Sequence, residues 1–374
     1  MMAGAPDILA ARLANQRLWG PAASTPEQVV GELLAVQSQD APLARLAIAQ
    51  RADCHVTEVE AAIDAGRIVR THVLRPTWHY VLRDDLAWLL ELTGRRIVTG
   101  VASRLQRLGL PPEILNPALD AVVTAVAHQP ATRKQLWDVL VADGILDRDA
   151  ELGMRVTHVL MQAEVLGLIA SGPLRDGEHT YAPWDAPPSG RDRDDLVAEL
   201  VRRFVTSHGP ISVGDLMRWV NVTKTETLRA LAADDSIVSV TVDGVALYLA
   251  PDAALPVTRQ PALLLSTFDE AFLSYRDVAW PRTASHPLGE APYRWSEAGG
   301  GPVLDSLEDV GSWKRTAKPG RLTIRLDLAS SLSDAARARV HAAAEDAASR
   351  MTQPEALVAF EDGPVPWGVR SPRR

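Results

Sequence analysis

Two glutamines two residues apart, Gln37 and Gln39 in LLAVQSQDAP (33–42), are the side chains whose placement asks for a chemical explanation. Thr25-Pro26-Glu27-Gln28 has the pattern of a helix N-terminus, a threonine cap followed by proline at the first helical position. Val30, Leu33 and Leu34 then recur at the helical period over an expected helix 26–37, and the next place on that apolar stripe is Gln37. A buried amide needs hydrogen-bond partners or costs about 1–3 kcal/mol. Gln37 is therefore either a satisfied structural amide or a working group in a cleft. Glutamine has no useful pKa, so it is no ordinary general base. Its amide can still position a water, set a dipole against developing charge and hold a phosphate or sugar oxygen. Taken alone, the pair reads first as structural, because buried polar groups are usually just satisfied. Asp40 suits the N-cap of a helix begun by Ala41-Pro42 better than it suits activating a water.

Further polar candidates lie in RIVRTHVLRPTWHYVL (67–82). His72 and His79 have opposite parity in an extended segment, so they do not indicate a shared metal site. His79 beside Thr77 is a candidate cleft residue. Arg70 and Arg75 are candidate phosphate contacts, although arginine on a strand is most often simply solvated. Trp78 reads as core. Lys314, Arg315 and Lys318 are candidate DNA-backbone contacts, with a solvated basic loop as the alternative. Asp269, Glu270, Arg276 and Asp277 read as an internal ion-pair network, structural and not catalytic. Walker, G-x-G-x-x-G, G-x-S-x-G and H-E-x-x-H motifs are absent from the sequence. Neither a metal nor a cofactor is expected.

The elements that must hold these residues belong to a chain of 374 residues with 47% hydrophobic side chains, enough for two or three cored modules. One cysteine, Cys54, excludes an intramolecular disulfide and a cysteine-rich metal site, and fits a cytoplasmic compartment. No apolar run reaches the roughly 18 residues that a membrane span needs. The first residues, MMAGAPDILAARLANQRLWG, read as an ordinary helix and not as a signal peptide. The net charge of −8 weighs against a nucleic-acid partner, but its distribution weighs the other way. TGRRIVTGVASRLQRLGL (93–110) carries four arginines and no acid, and GSWKRTAKPGRLTIR (311–325) five basic residues and no acid.

Self-comparison exposes a repeat. HQPATRKQLW (128–137) and HGPISVGDLM (208–217) each follow an apolar-periodic helix and give His-x-Pro, a Thr or Ser cap, and Gln or Asp three residues later. Each continues into a short helix, a further helix and a hairpin, the second around Asp243-Gly244. That order is a winged helix-turn-helix. A divergent third copy fits the N-terminal region, with helices 26–37, 41–51 and 57–65 ahead of a hairpin RIVRTHVL and TWHYVL. The expected fold is α+β and mainly helical: three tandem winged helix-turn-helix units plus a C-terminal α/β module, divided 1–110, 111–190, 191–255 and 256–374. In the last part we expect a strand running into a short helix, a Gly/Pro-rich stretch (286–301), a two-stranded element, a strand RLTIRLDL and an Ala-rich helix.

LLAVQSQD (33–40), GRIVRTHVLRPTWHYV (66–81), HGPISVGDLMRWVNVTKTETLRAL (208–231), FDEAFLSYRD (268–277) and SWKRT (312–316) are specific together, in this order and at this spacing. Over most of its length the chain resembles the tandem winged-helix DNA glycosylases typified by AlkZ, which remove alkylated purines and unhook interstrand crosslinks. The resemblance implies that Gln37 and Gln39 form a catalytic Q-x-Q motif. It departs at Phe268 and Ala271, which replace aromatic hydroxyls, and at Asp305, Glu308 and Asp309, acids that would be costly beside phosphates if their hairpin entered a groove.

The expectation is thus a monomeric, cofactor-free DNA glycosylase acting on double-stranded DNA with bulky N7- or N3-alkylated purines, possessing no membrane segment. Crosslink unhooking and self-resistance to a genotoxic metabolite are attached expectations. The alternative is a non-catalytic winged-helix DNA-binding protein or regulator.

Overall fold

Thr25 caps the helix that leads to the glutamines, its hydroxyl accepting the Gln28 N–H at 3.1 Å. The computed structural model describes residues 5–185, 188–251, 262–278, 280–287, 299–353 and 356–365. After α1 (Ala5–Asn15), a first block contains α2 (Pro26–Leu33), β1 (Val36–Gln37), α3 (Ala41–Ala52), α4 (Val56–Asp64), β2 (Ile68–His72) and β3 (Trp78–Leu82). The expected helix 26–37 stops short. Leu34 takes φ 69°, which turns the chain out of the helix, and Val36 and Gln37 pair with Tyr80 and His79 of β3. Gln37 therefore lies on a strand at the edge of a sheet ordered β1-β3-β2, not on a helical stripe. The cap expected of Asp40 is present, with Oδ1 accepting the Leu43 N–H at 3.2 Å.

The second block follows the long α5 (Arg83–Arg107) and contains α6 (Pro112–His128), β4 (Ala131–Thr132), α7 (Arg133–Ala142), α8 (Leu152–Val165), β5 (Ile169–Ser171) and β6 (Thr180–Pro183). The third has α9 (Arg193–His208), α10 (Val213–Trp219), α11 (Lys224–Ala233), β7 (Val238–Val242) and β8 (Val245–Leu249). Capping boxes at Thr132/Gln135, Ser212/Asp215 and Thr223/Glu226 start α7, α10 and α11 as their sequences require. Asp243 and Gly244 both have positive φ and close the two-residue turn between β7 and β8.

All three blocks place a short extended segment between the first and second helices and pair it with the last strand. Val36-Gln37 pairs with β3, Ala131-Thr132 with β6, and Ile211 with Tyr248 of β8. In the second block Thr132 is both strand residue and cap, and in the third the cap Ser212 follows Ile211 directly. The first block inserts Ser38 and Gln39 between strand and cap.

The last part holds β9 (Leu263–Leu264), α12 (Glu270–Leu273), β10 (Gly300–Asp305), β11 (Glu308–Lys318), β12 (Arg321–Leu328), α13 (Asp334–Met351) and β13 (Leu357–Asp362). Its sheet runs β13-β12-β11-β10-β9, and β13, which the sequence reading did not include, joins parallel to β12 through α13. Residues 288–298 of the Gly/Pro-rich stretch lie outside the described residues. The fold is α+β and largely helical. One apolar core joins the first block to the third (Leu34, Val69, Leu89, Phe204, Trp219), and another seats Leu43 and Leu46 of α3 against Trp313, Ile324 and Val340. The strand carrying Gln37 is thus fixed from two sides.

Candidate active site

The wing of the first block has two faces, and the register assigns residues to each. Gln37 opposes His79, which opposes Thr71, so these three share one face. His72, Trp78 and Arg70 are on the other. As their parity implies, His72 and His79 point to opposite sides of the sheet.

Gln37 is buried and held at both ends. Its backbone N–H donates to Glu270 Oε1 at 2.8 Å, and its side-chain Oε1 accepts from Arg75 Nη2 at 2.8 Å. An amide oxygen has two acceptor sites, so one remains beyond the Arg75 bond, and the amide NH2 still has its donors to offer. Gln39 is exposed at the surface two residues on. Ser38 between them is tied down, its N–H donating to Trp78 O at 2.8 Å and its carbonyl accepting from Arg70 Nη2 at 2.8 Å. The structure therefore presents one anchored and one open glutamine.

Arg75 reaches Gln37 from the turn between β2 and β3, where Leu74 has φ 65°. It is half-buried, and burial lowers the guanidinium pKa while Glu270 opposes that change. His79 is fully buried. Its Nδ1 meets the Thr77 carbonyl at 3.0 Å, and because a carbonyl only accepts, Nδ1 carries the proton. The Nε2 lone pair is left buried without a partner, as are Thr71 Oγ1, Thr77 Oγ1 and Arg75 Nε. Burial, reinforced by Arg75, pushes the imidazole down to about 3, so it is neutral at pH 7.

Arg70 has a structural contact that its sequence context does not announce. It is buried, spends its guanidinium on the Ser38 carbonyl and packs 4.5 Å from the Trp78 ring. Nε and Nη2 are both directed at that carbonyl. Trp78 is half-buried between Arg70 and His72, whose ring centroid is 4.3 Å away and whose Nδ1 pairs with buried Glu164. This second face is a support for Ser38.

The acids of FDEAFLSYRD are separated in function. Asp269 forms a buried two-pronged pair with Arg51 at 2.7 and 3.0 Å. Asp277 accepts from Ser212 Oγ, and Arg276 donates its backbone N–H to Asp215. Those contacts are structural, as expected. Glu270 is not part of that network; it lies directly behind Gln37. Only its sequence separation of 233 residues from Gln37 hid the contact.

Arg315 and Lys314 on β11 sit close to the motif for a reason visible in the backbone. Asp40 Oδ2 accepts the Gly299 N–H at 2.6 Å, and Gly299 O accepts the Arg315 N–H at 2.7 Å. The chain entering β10 is therefore docked beside Gln39, with Arg315 following. Burial lowers the Arg315 pKa, with Asp40 opposing. Lys318 is exposed at the β11–β12 turn. Asp305, Glu308 and Asp309 are at the far end of β11, at the β10–β11 turn. Asp305 pairs with Arg339 at 2.6 Å, Asp309 with Arg282 and His286, and Glu308 accepts from Thr283 Oγ1. They face protein groups, not the basic tip.

The profile of the AlkZ-like DNA glycosylases matches residues 30–350, a span that includes Gln37, Glu270 and the basic hairpin. The chain belongs to that family. Membership gives the general class, a DNA glycosylase, with DNA as the partner. Among solved structures, Streptomyces sahachiroi DNA glycosylase AlkZ is similar with a TM-score of 0.71 and 18% identity, over 96% of this chain and 100% of that one. At that identity the likeness is one of fold. No protein of curated function matches the chain significantly. Among the described residues of this AlkZ-like chain, no helix is long and apolar enough to cross a membrane.

Proposed function

We propose that this AlkZ-like protein is a monofunctional, monomeric glycosylase for N7- or N3-alkylated purines in double-stranded DNA, built from three tandem winged helix-turn-helix units and a C-terminal α/β module. The observation that carries the reading is the anchored Gln37, its backbone N–H held by Glu270 and its side-chain amide by Arg75, beside the open Gln39. A purine alkylated at N7 or N3 is cationic, so its C1′–N9 bond is already activated. The bond breaks with its electron pair neutralising the base, and water adds at C1′ with loss of a proton. No general acid is required. Gln37 and Gln39 orient that water and set amide dipoles against the cationic sugar, help of about 10²–10³-fold for a preorganised dipole. Such help is adequate for labile adducts and inadequate for an undamaged purine, which makes the amides a selectivity device.

Lys314, Arg315 and Lys318 grip the DNA backbone, which offsets the acidic net charge, and Arg75 and Thr77 border the lesion. Gln39 lies at an open surface, which supports acceptance of bulky adducts and the unhooking of crosslinks. A sequence-reading regulator is disfavoured. Its recognition helix α11 carries only two long basic side chains, Lys224 and Arg229, and Arg229 is in an exposed pair with Asp194 at 2.7 Å, which is thin for reading bases. The test is release of N7-methylguanine from methylated duplex DNA by wild type, Gln37→Ala and Gln39→Ala. Release by wild type, lost in folded variants, supports the assignment. Silence of wild type on N7-methyl, bulky N7 and crosslinked substrates overturns it in favour of a binding protein.

A further inference from the structure

Glu270 is a carboxylate with no access to solvent, placed where a cationic reaction would feel it. Its Oε1 accepts the Gln37 N–H, while Oε2 accepts from Trp219 Nε1 and Ser274 Oγ, each bond 2.8 Å. Three elements therefore converge on one side chain: β1 with the motif, α10 of the third block, and α12 itself. Asp269, the cap of α12, is clamped by Arg51, so the backbone that carries Glu270 is also fixed. His208 Nε2 is 3.7 Å away, too far for a hydrogen bond, and stacks on Phe204.

Burial alone would push the Glu270 carboxyl up, but His208, His79 and the Gln37 N–H hold it down at about 2. His79 and His208 are themselves lowered by burial, His79 to about 3. At neutral pH the charges around Gln37 then include Glu270 beneath it and Arg75 beside it, with Arg218 near Arg75. A lone arginine there would oppose the positive charge that leaves the base for the sugar. A buried anion one backbone bond behind the same residue offsets it, with little screening by solvent.

We propose that Glu270 is a positioning residue for the glycosylase reaction: it fixes the Gln37 strand and supplies the negative potential that lets a site containing Arg75 accept a cationic sugar. This rests on the glycosylase reading above. It assigns no contact between Glu270 and substrate.

The probes are two duplexes, one with a pyrrolidine abasic analogue, cationic at the sugar position, and one with neutral tetrahydrofuran. Wild type should bind the cationic duplex about tenfold more tightly or better, and Glu270→Gln should lose that ratio while keeping its tetrahydrofuran affinity. A purely structural role would change both affinities together. Glu270→Asp keeps the charge but shortens the reach, so base release should fall while the ratio survives. That variant carries the test if Glu270→Gln does not fold, since a lost ratio in Glu270→Asp overturns the proposal. A wild-type ratio near one, or a full ratio in folded Glu270→Gln, also overturns it. If wild type releases alkylpurine in these cases, only the Glu270 proposal falls. If wild type neither releases base nor prefers the cation, the glycosylase reading falls with it.

Discussion

Arg75 Nη2 donates to Gln37 Oε1 at 2.8 Å, so the amide of the first glutamine has a set rotation before any DNA arrives. Without that bond the amide is free both to flip and to swing away, so the oxygen loses its fixed position as well as its fixed orientation. Arg75→Ala should therefore slow base release at saturating enzyme by about tenfold, a fraction of what a preorganised dipole provides. Arg75→Lys should recover little, because an ammonium lacks the planar fork. Single-turnover rates decide the matter. An arginine that only bound phosphate would weaken affinity and leave the saturated rate untouched.

The two glutamines should separate in stability although both matter for rate. Gln39 is exposed, and truncating such a side chain changes stability by about 0.5 kcal/mol or less. Gln37→Ala removes a buried side chain and the acceptor of a half-buried Arg75 donor, and should cost about 1–3 kcal/mol as well as activity. Urea denaturation beside the release assay checks both. Equal destabilisation would mean that Gln39 is buried in solution.

Local signals in the sequence were enough for much of this frame. Thr132/Gln135, Ser212/Asp215 and Thr223/Glu226 announce three helices because a capping box is complete within four residues. Asp243-Gly244 announces its hairpin for the same reason. Gln37 was misplaced on a helix because no glycine marks the stop; Leu34 takes the left-handed turn, and only pairing with β3, some forty residues later, makes the strand. The acids of LDSLEDVG looked hazardous for DNA because their partners Arg339, Arg282 and His286 are distant or follow a turn. Nothing local reveals the Ser38 carbonyl that Arg70 serves, 32 residues back in the chain.

Acid should destabilise the protein well before ordinary carboxylates titrate. His79 has an ordinary value of 6.5 when unfolded and about 3 when folded, so below 6.5 the unfolded chain takes up a proton that the folded one refuses. Its contribution is complete above about 6.5 and drains as pH falls toward 3. The slope is about 1.4 kcal/mol per pH unit for one such group. Glu270, lowered from 4.5 to about 2, adds loss with the same sign in the lower window. Urea midpoints at pH 7.5, 6 and 5 should fall in that order, and His79→Gln should flatten the trend. An unchanged trend would place the sensitivity elsewhere.

Asp269 and Arg51 offer a test of how firmly the base of the site is held. Both side chains are buried, and Arg51 also bonds the Gln16 and Ala47 carbonyls, joining α3 to the segment after α1 and to the cap of α12. Removing one partner of a buried pair leaves the other charge uncompensated, at a cost of about 3–5 kcal/mol. Asp269→Ala should lose that much by denaturant titration. It should also lose base release, since Asp269 accepts the Ala271 N–H that begins the α12 turn carrying Glu270. A stable and active Asp269→Ala would show that α12 is positioned without its cap.

The basic hairpin makes the last prediction, and salt is the variable that reads it. Lys318 and Arg321 flank the β11–β12 turn, where Gly320 has φ 69°, and Lys314 and Arg315 lie behind them on the same strand as the approach to Gln39. The acids of that hairpin are at its other end and already paired, so they do not oppose a phosphate at the tip. Each phosphate neutralised releases condensed counterions and adds about −0.9 to the slope of log affinity against log salt. Lys318→Ala should therefore weaken binding to undamaged duplex at every sequence and reduce the slope by roughly one. Lys134→Ala is the control, an exposed lysine paired with Asp138 on α7. If both variants keep the wild-type slope, the hairpin does not touch the backbone and the acidic protein holds DNA by another face. If Lys318→Ala alone reduces it, the strand docked beside the glutamines is also the one that grips the DNA.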